Sequence, residues 1–511
     1  MSRSRTRRLQ NRKRRIDRRL RNMNWADQPD PMFKASNIHY ELSDRARGLC
    51  SGGIGAMHLL ARQTGLIDKI DARLQLLKVH LPYHESDHVL NIAYNILCGG
   101  SCLEDIEQRR NDEVYMDALG AQRIPDPTTA GDFCRRFNWT NLHILMNVIN
   151  DVRVGVWQQQ PESFFDEAII DVDGTIASTT GECKQGMDMS YKGVWGYGPL
   201  IVSLANTREP LYLVNRSGNR PSHDGAARYV DWAGTLCERA GFGKILYRGD
   251  TDFTQTQQLD DWDELGRQFI FGINAMGNLI AKADRLPQNK WKSLDRPAKY
   301  EVKTEPRQQP DNVKERIVRE REYKNIRLQS EHVAEFPYRP TRCKKTYRVV
   351  VVRKNLSVER GERVLFDDIL HLFYITNDDS RSAEEIVFLA NDRCNQENLI
   401  EQLKNGVKAM AMPVDNLLSN WAYMVMASLA WNLKAWFALS LPETGRWADK
   451  RRQEKQTIMG MEFKKFLNAI MLVPAQIIKT GRRIVCRLLA WNPWQHVFLR
   501  GVDAVSRPMR C

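Results

Sequence analysis

The chain has 511 residues, 42% hydrophobic and 27% charged, a globular composition that excludes wholesale disorder and collagen-like repeats. Lysine and arginine number 76 against 62 aspartates and glutamates, a net charge of +14, so an acidic polymer is the first partner to consider. Ten scattered cysteines, with Cys98 and Cys102 the closest pair, read as reduced thiols, and no apolar run approaches the roughly 18 residues of a membrane span.

In chain order, residues 1–40 read as a basic arm. Arg14, Arg15 and their neighbours crowd the first 22 residues against Asp17 alone. Such a block repels itself, which predicts disorder when free and a phosphate-binding role. A solvated tail is the plain alternative. The start has no apolar segment of a secretory signal, and a cytoplasmic, nucleoid-associated bacterial protein is expected.

Residues 41–160 read as a helical domain. Ser86 can cap a helix through His88 and Ile96, stopped by Gly99 and Gly100. Pro125 and Pro127 then break the chain, and Thr128 or Thr129 could cap a short basic helix ending in Arg135 and Arg136. Helix, turn and short basic helix suggest a helix-turn-helix-like DNA reader, with Arg135 and Arg136 on the DNA. A plain helical bundle fits equally well. His80, His84 and His88 have ligand-like spacing, but Pro82 interrupts the first pair, which argues against zinc.

The texture changes at residues 161–275. EAIIDVDGTIAST, GVWGYGPLIVSLANT and EPLYLVNRSGN read as strands, followed by a helix over HDGAARYVDWAGTLCERAGFG. KILYRGDTDF is a strand, TQTQQLDDWDELG a helix and RQFIFGINA the fifth strand. This order predicts an α/β fold, a mixed sheet with flanking helices, and is similar to an RNase H-like core. Residues 276–365, charged in KTEPRQQPDNVKERIVREREYK and then strand-like in TYRVVVVRKN, read as a β-rich insertion. Residues 366–440 resume the core with the strand ILHLFYITND and a helical region from Ser382. In the C-terminal region, 441–511, VPAQIIKTGRRIVCRLLAW reads as a hairpin turning at Thr480 and Gly481.

The sharpest chemical signal is acidic residues at strand ends. Asp171 and Asp173 alternate with apolar residues and share one face of a strand, and Asp250 ends another. Strand ends are where open α/β sheets place ligands. In NDRCNQENLIEQLKNG, a regular helix would put Arg393, Glu397 and Lys404 on one face, with Leu399, Ile400 and Leu403 toward the sheet. Each has a plain alternative: a capping aspartate, or a solvated Arg-Glu pair. Two aspartates and a glutamate, all hard oxygen ligands, suit Mg²⁺, with Mn²⁺ as a substitute. Two such ions about 4 Å apart would clamp an in-line phosphoryl displacement.

At these residues the chain resembles the DDE transposases of bacterial insertion sequences. More narrowly it resembles the insertion sequence 1380 family and the group with the signature Tyr-x2-Arg-x3-Glu-x6-Lys. Arg393, Glu397 and Lys404 match that spacing, while Ala390 stands at the Tyr position. The resemblance implies a catalytic and metal-binding triad of Asp173, Asp250 and Glu397, with Asp173 preferred to Asp171 because it precedes Gly174 and Thr175. Asp252 and Glu401 are weaker rivals. It implies phosphate or DNA contacts by Arg393, Lys404, Arg216 and Asn219. For Trp291 it implies base stacking, against which a core role is the simpler reading. The implied function is cut-and-paste transposition by a homodimer, with double-stranded DNA, as terminal inverted repeats and target, for partner. A same-fold nuclease without joining, and a DNA-binding repressor or inactive relative, are the rivals.

Overall fold

The computed structural model describes residues 3–21, 39, 46–80, 82–181, 184–296, 324–360, 363–480 and 483–507. Helix α1 (Arg3–Arg21) opens the chain. A short strand, β1 (Gly48–Leu49), leads into α2 (Ile54–Gln63), α3 (Leu66–Arg73), α4 (Glu85–Leu97), α5 (Ile106–Arg110), α6 (Glu113–Leu119), α7 (Pro127–Arg135) and α8 (Trp139–Trp157). Strands β2 (Ala168–Gly174), β3 (Ala177–Ser178), β4 (Asp188–Met189), β5 (Trp195–Tyr197), β6 (Leu200–Leu204) and β7 (Glu209–Val214) follow. Then come α9 (Ala226–Ala240), β8 (Ile245–Gly249), α10 (Leu259–Glu264), β9 (Gln268–Ile273), α11 (Gly277–Asp284) and β10 (Lys292–Ser293).

Three long strands, β11 (Lys324–Tyr338), β12 (Tyr347–Arg360) and β13 (Arg363–Thr376), lead to α12 (Ala383–Asp392) and α13 (Cys394–Glu401). A π-helical turn, Gln402–Gly406, separates α13 from α14 (Leu417–Leu439). The chain closes with α15 (Ala448–Gly460), α16 (Phe463–Phe466), β14 (Ala475–Thr480), β15 (Arg483–Leu488) and α17 (Gln495–Val505).

The described residues form a nine-stranded mixed sheet in the order β10-β11-β12-β13-β9-β8-β2-β6-β7. Strands β2, β8 and β9 run parallel, connected by helices, and β6 and β7 return antiparallel beside β2. The parallel strands are buried along most of their length, as strands covered on both faces must be.

Three expectations need correction. The block 276–365, read as a β-rich insertion, joins the core sheet: β13 pairs with β9, Phe373 opposite Ile273, so β11, β12 and β13 extend it. The boundary at 365 falls inside β13, because apolar strands that pair in register leave no seam for a boundary. Much of the charged stretch, 297–323, lies outside the described residues, as does Gly481 at the hairpin tip. The basic arm is helical rather than disordered over Arg3–Arg21. Arginine is a good helix former, this segment holds no Gly or Pro, and Arg5 pairs with Asp503 at 2.8 Å while Arg12 donates to the Ala490 carbonyl. Helix α7 is capped by Asp126, which accepts from the Thr129 amide at 2.8 Å, and not by a threonine. Pro127 at the first helical position suits that cap.

The helices of 41–160 share a core with the C-terminal part of the chain. One hydrophobic cluster runs from Leu49 to Val505. Its axis is α14, buried at every residue from Ser419 to Leu439, as a helix apolar on all sides must be. Helix α14 lies over β7, the edge strand of the sheet, between α4, α7 and α8. Its indoles satisfy backbone that an edge strand leaves unpaired: Trp421 donates to the Leu213 carbonyl at 2.5 Å and Trp431 to that of Arg208 at 2.6 Å.

Buried at the start of β7, Glu209 accepts from Arg153 of α8 at 3.0 Å, Trp157 at 2.9 Å and Trp436 of α14 at 2.8 Å. Arg153, also buried, donates further to the Pro210 carbonyl at 2.8 Å and to Asn150. A buried charge pair is stable only when its remaining hydrogen bonds are made, as they are here. Glu209→Gln leaves the Arg153 charge uncompensated and is expected to cost about 3–5 kcal/mol, read as a lower denaturant midpoint. An unchanged midpoint would show that the network does not hold α8 and α14 to the sheet.

Candidate active site

The two strand-end aspartates meet because of topology. Strands β2 and β8 are parallel neighbours, with Asp171 opposite Arg248. Two residues further on, Asp173 at the end of β2 and Asp250 just past β8 come level at the carboxyl ends of the strands. Asp250 caps the turn Thr251–Phe253 by accepting from the Asp252 amide at 2.9 Å. Asp173 accepts from its neighbour's amide, Gly174, at 2.8 Å. The loop after β7 closes over this end, and a side chain at Gly174 would press on Ser222 at 3.3 Å.

The two candidates in β2 have different jobs. Asp171 is buried and held by a fork from Arg248, Nε at 2.7 Å and Nη2 at 2.8 Å. Arg248 uses its remaining Nη1 on the Leu389 carbonyl of α12, at 2.7 Å. Asp171 is therefore committed to packing. Asp173 instead faces Arg393, whose Nη1 lies 3.1 Å from Oδ2, and it feels the charges of Asp250 and Glu397.

Burial pushes the Asp173 carboxyl up to about 6; Arg393 and the Gly174 amide lower it, while Asp250 and Glu397 raise it. Burial likewise raises Asp250, against the opposing pull of Arg393. The structure thus sets Asp173 and Asp250 level on neighbouring strands and pairs Arg393 with Asp173. Glu397 itself is solvent-exposed.

The helix carrying Glu397 is not continuous with the one before it. Arg393 stands at the junction of α12 and α13, and the turn Gln402–Gly406 is π-helical. The shared face expected of a regular helix therefore does not apply to Arg393 and Lys404, since both the break and the wider turn change the phase. Lys404 nonetheless feels Asp173; burial lowers its ammonium, Glu401 and Asp173 raise it, and Lys192 lowers it. Glu401 accepts from Asn405 at 2.7 Å. Leu399, Ile400 and Leu403 are buried, as their spacing implies.

Sequence reasoning missed the residues that seat this helix. Gln396, buried beside Glu397, donates to the Ile201 carbonyl of β6 at 3.3 Å and accepts from Ser203. Arg248 was equally unseen. The available signal was a polar side chain on an otherwise apolar inner face and an arginine inside an apolar strand.

The other expected residues fall as follows. Arg216 is half-buried and donates to the carbonyls of Gly198, Ser222 and Asp224 at 2.9, 2.9 and 2.7 Å, so it braces the loop above the site. Burial lowers its guanidinium to about 10. Asn219 donates to Asp188 at 2.5 Å. Arg135 is engaged by Asp132 at 2.7 Å and Asp415 at 3.2 Å, while Arg136 is exposed beside it. Arg14 and Arg15 are exposed on α1. Ala390 packs against the sheet. Trp291 is 8% exposed with the Arg353 guanidinium 4.2 Å from its ring centre, a core position. His88 stacks on Phe133 at 4.3 Å, whereas His80 stacks on His84 and meets Glu85 at 3.0 Å.

The donor set suits a hard divalent cation in kind: carboxylate oxygens, with the half-buried Asp173 and Asp250 opposing each other. In the arrangement described, Arg393 takes up that role toward Asp173, and among the described residues no three His, Cys, Asp or Glu side chains are grouped to hold a metal ion. No helix among the described residues is long and apolar enough to cross a membrane.

The paired carboxylates stand at the carboxyl ends of adjacent parallel strands, where open α/β sheets place their ligands. The chain belongs to the family described as transposase DDE domain group 1, whose model matches residues 45–509. It is accordingly a transposase by family, in an enzyme class that typically works with a divalent metal. No curated protein matches the chain. Among solved structures, a piggyBac transposase synaptic complex with hairpin DNA aligns with 83% of this chain and 83% of its own, at 9% identity and a TM-score of 0.37.

A carboxyl raised by folding adds stability that is full below its unfolded value, near pH 4, and lost as the pH rises through about 6. Without metal, Asp173→Asn is expected to stabilise the protein above about pH 7 by up to about 3 kcal/mol, the gain fading toward about pH 4. Unfolding midpoints across pH in a chelator measure it. A difference independent of pH would remove Asp173 from the titration.

Proposed function

We propose that the chain is an insertion-sequence transposase that moves DNA by cut and paste, with an RNase H-like core and Asp173, Asp250 and Glu397 as its catalytic carboxylates. The observation that carries this reading is the level placement of Asp173 and Asp250 on adjacent parallel strands, with Arg393 acting on both and paired with Asp173. The strand arrangement supports the RNase H-like reading: β7, β6 and β2 antiparallel, then β8 and β9 parallel to β2. The spacing of Arg393, Glu397 and Lys404 favours the insertion sequence 1380 family as the narrower group.

Asp173, Asp250 and Glu397 would hold divalent metal, Mg²⁺ with Mn²⁺ as substitute. A bound ion supplies Lewis-acid polarisation of the phosphoryl oxygens and an activated water. Arg393 neutralises Asp173 before substrate arrives, and with Lys404 it faces the phosphate charge that replaces it. The loop braced by Arg216 and Asn219 limits the room above Asp173. Hydrolysis of a phosphodiester leaves a 3′-OH and a 5′-phosphate, and attack of that hydroxyl on a target phosphodiester joins the strands while the broken P–O bond releases the target's own 3′-OH.

The protein would bind the terminal inverted repeats of its own element as a homodimer in the cytoplasm, close to the nucleoid. The exposed cations of α1, Arg14 and Arg15 among them, supply sequence-independent phosphate contacts. Arg136 is the freer of the two basic residues closing α7, since Arg135 is engaged by carboxylates.

A cleavage and joining assay tests this, using a duplex that carries the repeats flanking the coding sequence, with Mg²⁺. The parent is expected to nick the repeat ends and join them to target. Glu397→Gln and Asp250→Asn should reduce both steps at least about a hundredfold while sparing binding. Normal turnover in either variant would take that residue out of the site. Specific binding without cleavage by the parent would favour a repressor.

Deleting residues 1–22 should weaken binding most at low salt. It should also lower the slope of log affinity against log salt by about one for each phosphate that the arm neutralises. An unchanged slope would leave α1 without a role on DNA.

A further inference from the structure

At the end of β2 opposite Asp173 the chain turns from β6 into β7, and a cavity of about 410 Å³ opens beside that turn. Small-ligand sites span about 300–1,000 Å³, so the cavity is of ligand size. The turn residues 206–208, the end of α14 and the last turns of α15 line it. Nothing in the chemistry proposed so far uses it.

The turn itself is strained. Arg208 has a φ of +58°, the left-handed region that glycine enters freely and a larger residue enters at a cost. Strain of this kind gathers at ligand sites. The Arg208 guanidinium donates to the Gly460 carbonyl at 3.3 Å, and the buried Lys434 donates to the adjacent Met459 carbonyl at 3.0 Å. Met459 and Gly460 close α15 and line the cavity. Cations at a helix C-terminus are favourable in their own right, and this explains where the two side chains sit. It leaves their charge without a carboxylate: among the described residues neither forms an ion pair.

The other cations of the cavity share one acid. Lys455 donates to Glu443 at 2.6 Å and to Gln160 at 2.7 Å, and Arg452 lies 3.4 Å from the second Glu443 oxygen. Arg452 also meets Asp449 at 3.3 Å on the open surface. Among the described lining residues Glu443 is the one carboxylate, set against Arg208, Arg452 and Lys455, a surplus of two positive charges. Thr207, which also lines the cavity, is 1% exposed, and its hydroxyl has no hydrogen-bond partner. Buried hydroxyls are nearly always paired, and the cavity is where a partner can enter.

Surplus charge, N–H donors on three side chains and an unused hydroxyl together match a small oxyanion. A phosphomonoester brings close to two negative charges, whereas each phosphodiester of a DNA backbone brings one. We propose that this cavity is a binding site for a phosphate dianion, free or at the end of a small phosphomonoester. Arg208, Lys455 and Arg452 take its charge, and the Thr207 hydroxyl donates to one of its oxygens. The site is separate from the carboxylates at Asp173 and Asp250 and does not depend on the transposase reading.

The test is calorimetric titration of the full chain with inorganic phosphate and with AMP, with chloride holding the ionic strength constant. The parent should bind both, and its thermal midpoint should rise with phosphate in step with occupancy. R208G should weaken phosphate affinity at least about tenfold, as expected for loss of a charge-assisted contact. Its midpoint without phosphate should be kept, because glycine suits the left-handed turn. T207V should also weaken phosphate affinity, while its midpoint without phosphate holds or rises, since it removes a hydroxyl that has no partner.

A parent that binds neither phosphate nor AMP beyond the chloride control overturns the site. Unchanged phosphate affinity in R208G, or in T207V should R208G fail to fold, overturns it as well. If the variants keep their phosphate affinity and lose affinity for duplex DNA, the cavity is a backbone contact, which also overturns the small-ligand site. None of these outcomes bears on cleavage at Asp173 and Asp250.

Discussion

The buried fork between Arg248 and Asp171 ties together the three elements on which the site depends. It joins β8 to β2 at 2.7 and 2.8 Å, and its third hydrogen bond reaches the Leu389 carbonyl of α12. Two residues beyond each partner come Asp250 and Asp173. Four residues beyond Leu389 comes Arg393. A single guanidinium thus fixes the relative heights of the strands and the helix that bring the charged groups together. Lysine could not replace it, because only a planar fork serves two carboxylate oxygens and a carbonyl at once. With no partner the Arg248 charge would be stranded in the sheet, so the same pair that orders the site is also costly to break.

The electrostatics around this clamp are divided by depth. Asp171 lies deep and is paired. Asp173 and Asp250 lie at the strand ends and oppose each other, which burial makes worse. Arg393 relieves part of that strain, and the chain's net charge of +14 lies around it. The site is thus locally acidic inside a basic protein, so that an anion is drawn to the surface and a cation to the carboxylates. The elements that hold the site, α13 through Gln396 and the loop after β7 through Arg216, are fixed by hydrogen bonds to backbone carbonyls. Such anchors leave the charged tips free to meet a ligand.

Much of this was legible in the sequence, and the limits have physical causes. Apolar runs ending in Asp gave the strand ends, and Leu399, Ile400 and Leu403 gave the inner face of the Glu helix. Period two could not separate Asp171 from Asp173, because both point to one face; what separates them is Arg248 on the neighbouring strand, a non-local partner. The helix break at Arg393 and the π turn after Glu401 escape a periodicity argument, because a local change of phase leaves the apolar spacing on either side intact. The extension of the core sheet by β11, β12 and β13 was hidden for the same reason: a strand's sequence shows that it pairs, not with which edge. In α1 the propensity of arginine, with the carbonyl and carboxylate it meets at Ala490 and Asp503, outweighs the charge repulsion that a local reading sees.

The helical half of the molecule bears on the site through α14. This helix is buried because it serves two masses at once, the N-terminal helices on one side and β7 on the other. Its tryptophans spend their only polar atoms on the backbone of β7 and its flanking turn, and Glu209 draws α8 into the same contact. Strand β7 is the third strand out from β8 and Asp250, and the loop that follows it lies over Gly174. Any shift of the N-terminal helices against the sheet would therefore load β7 first and the Asn215–Asp224 loop next. The N-terminal helices and the loop above Asp173 are in this way joined through packed side chains, because both sides meet in the large cluster that runs from Leu49 to Val505.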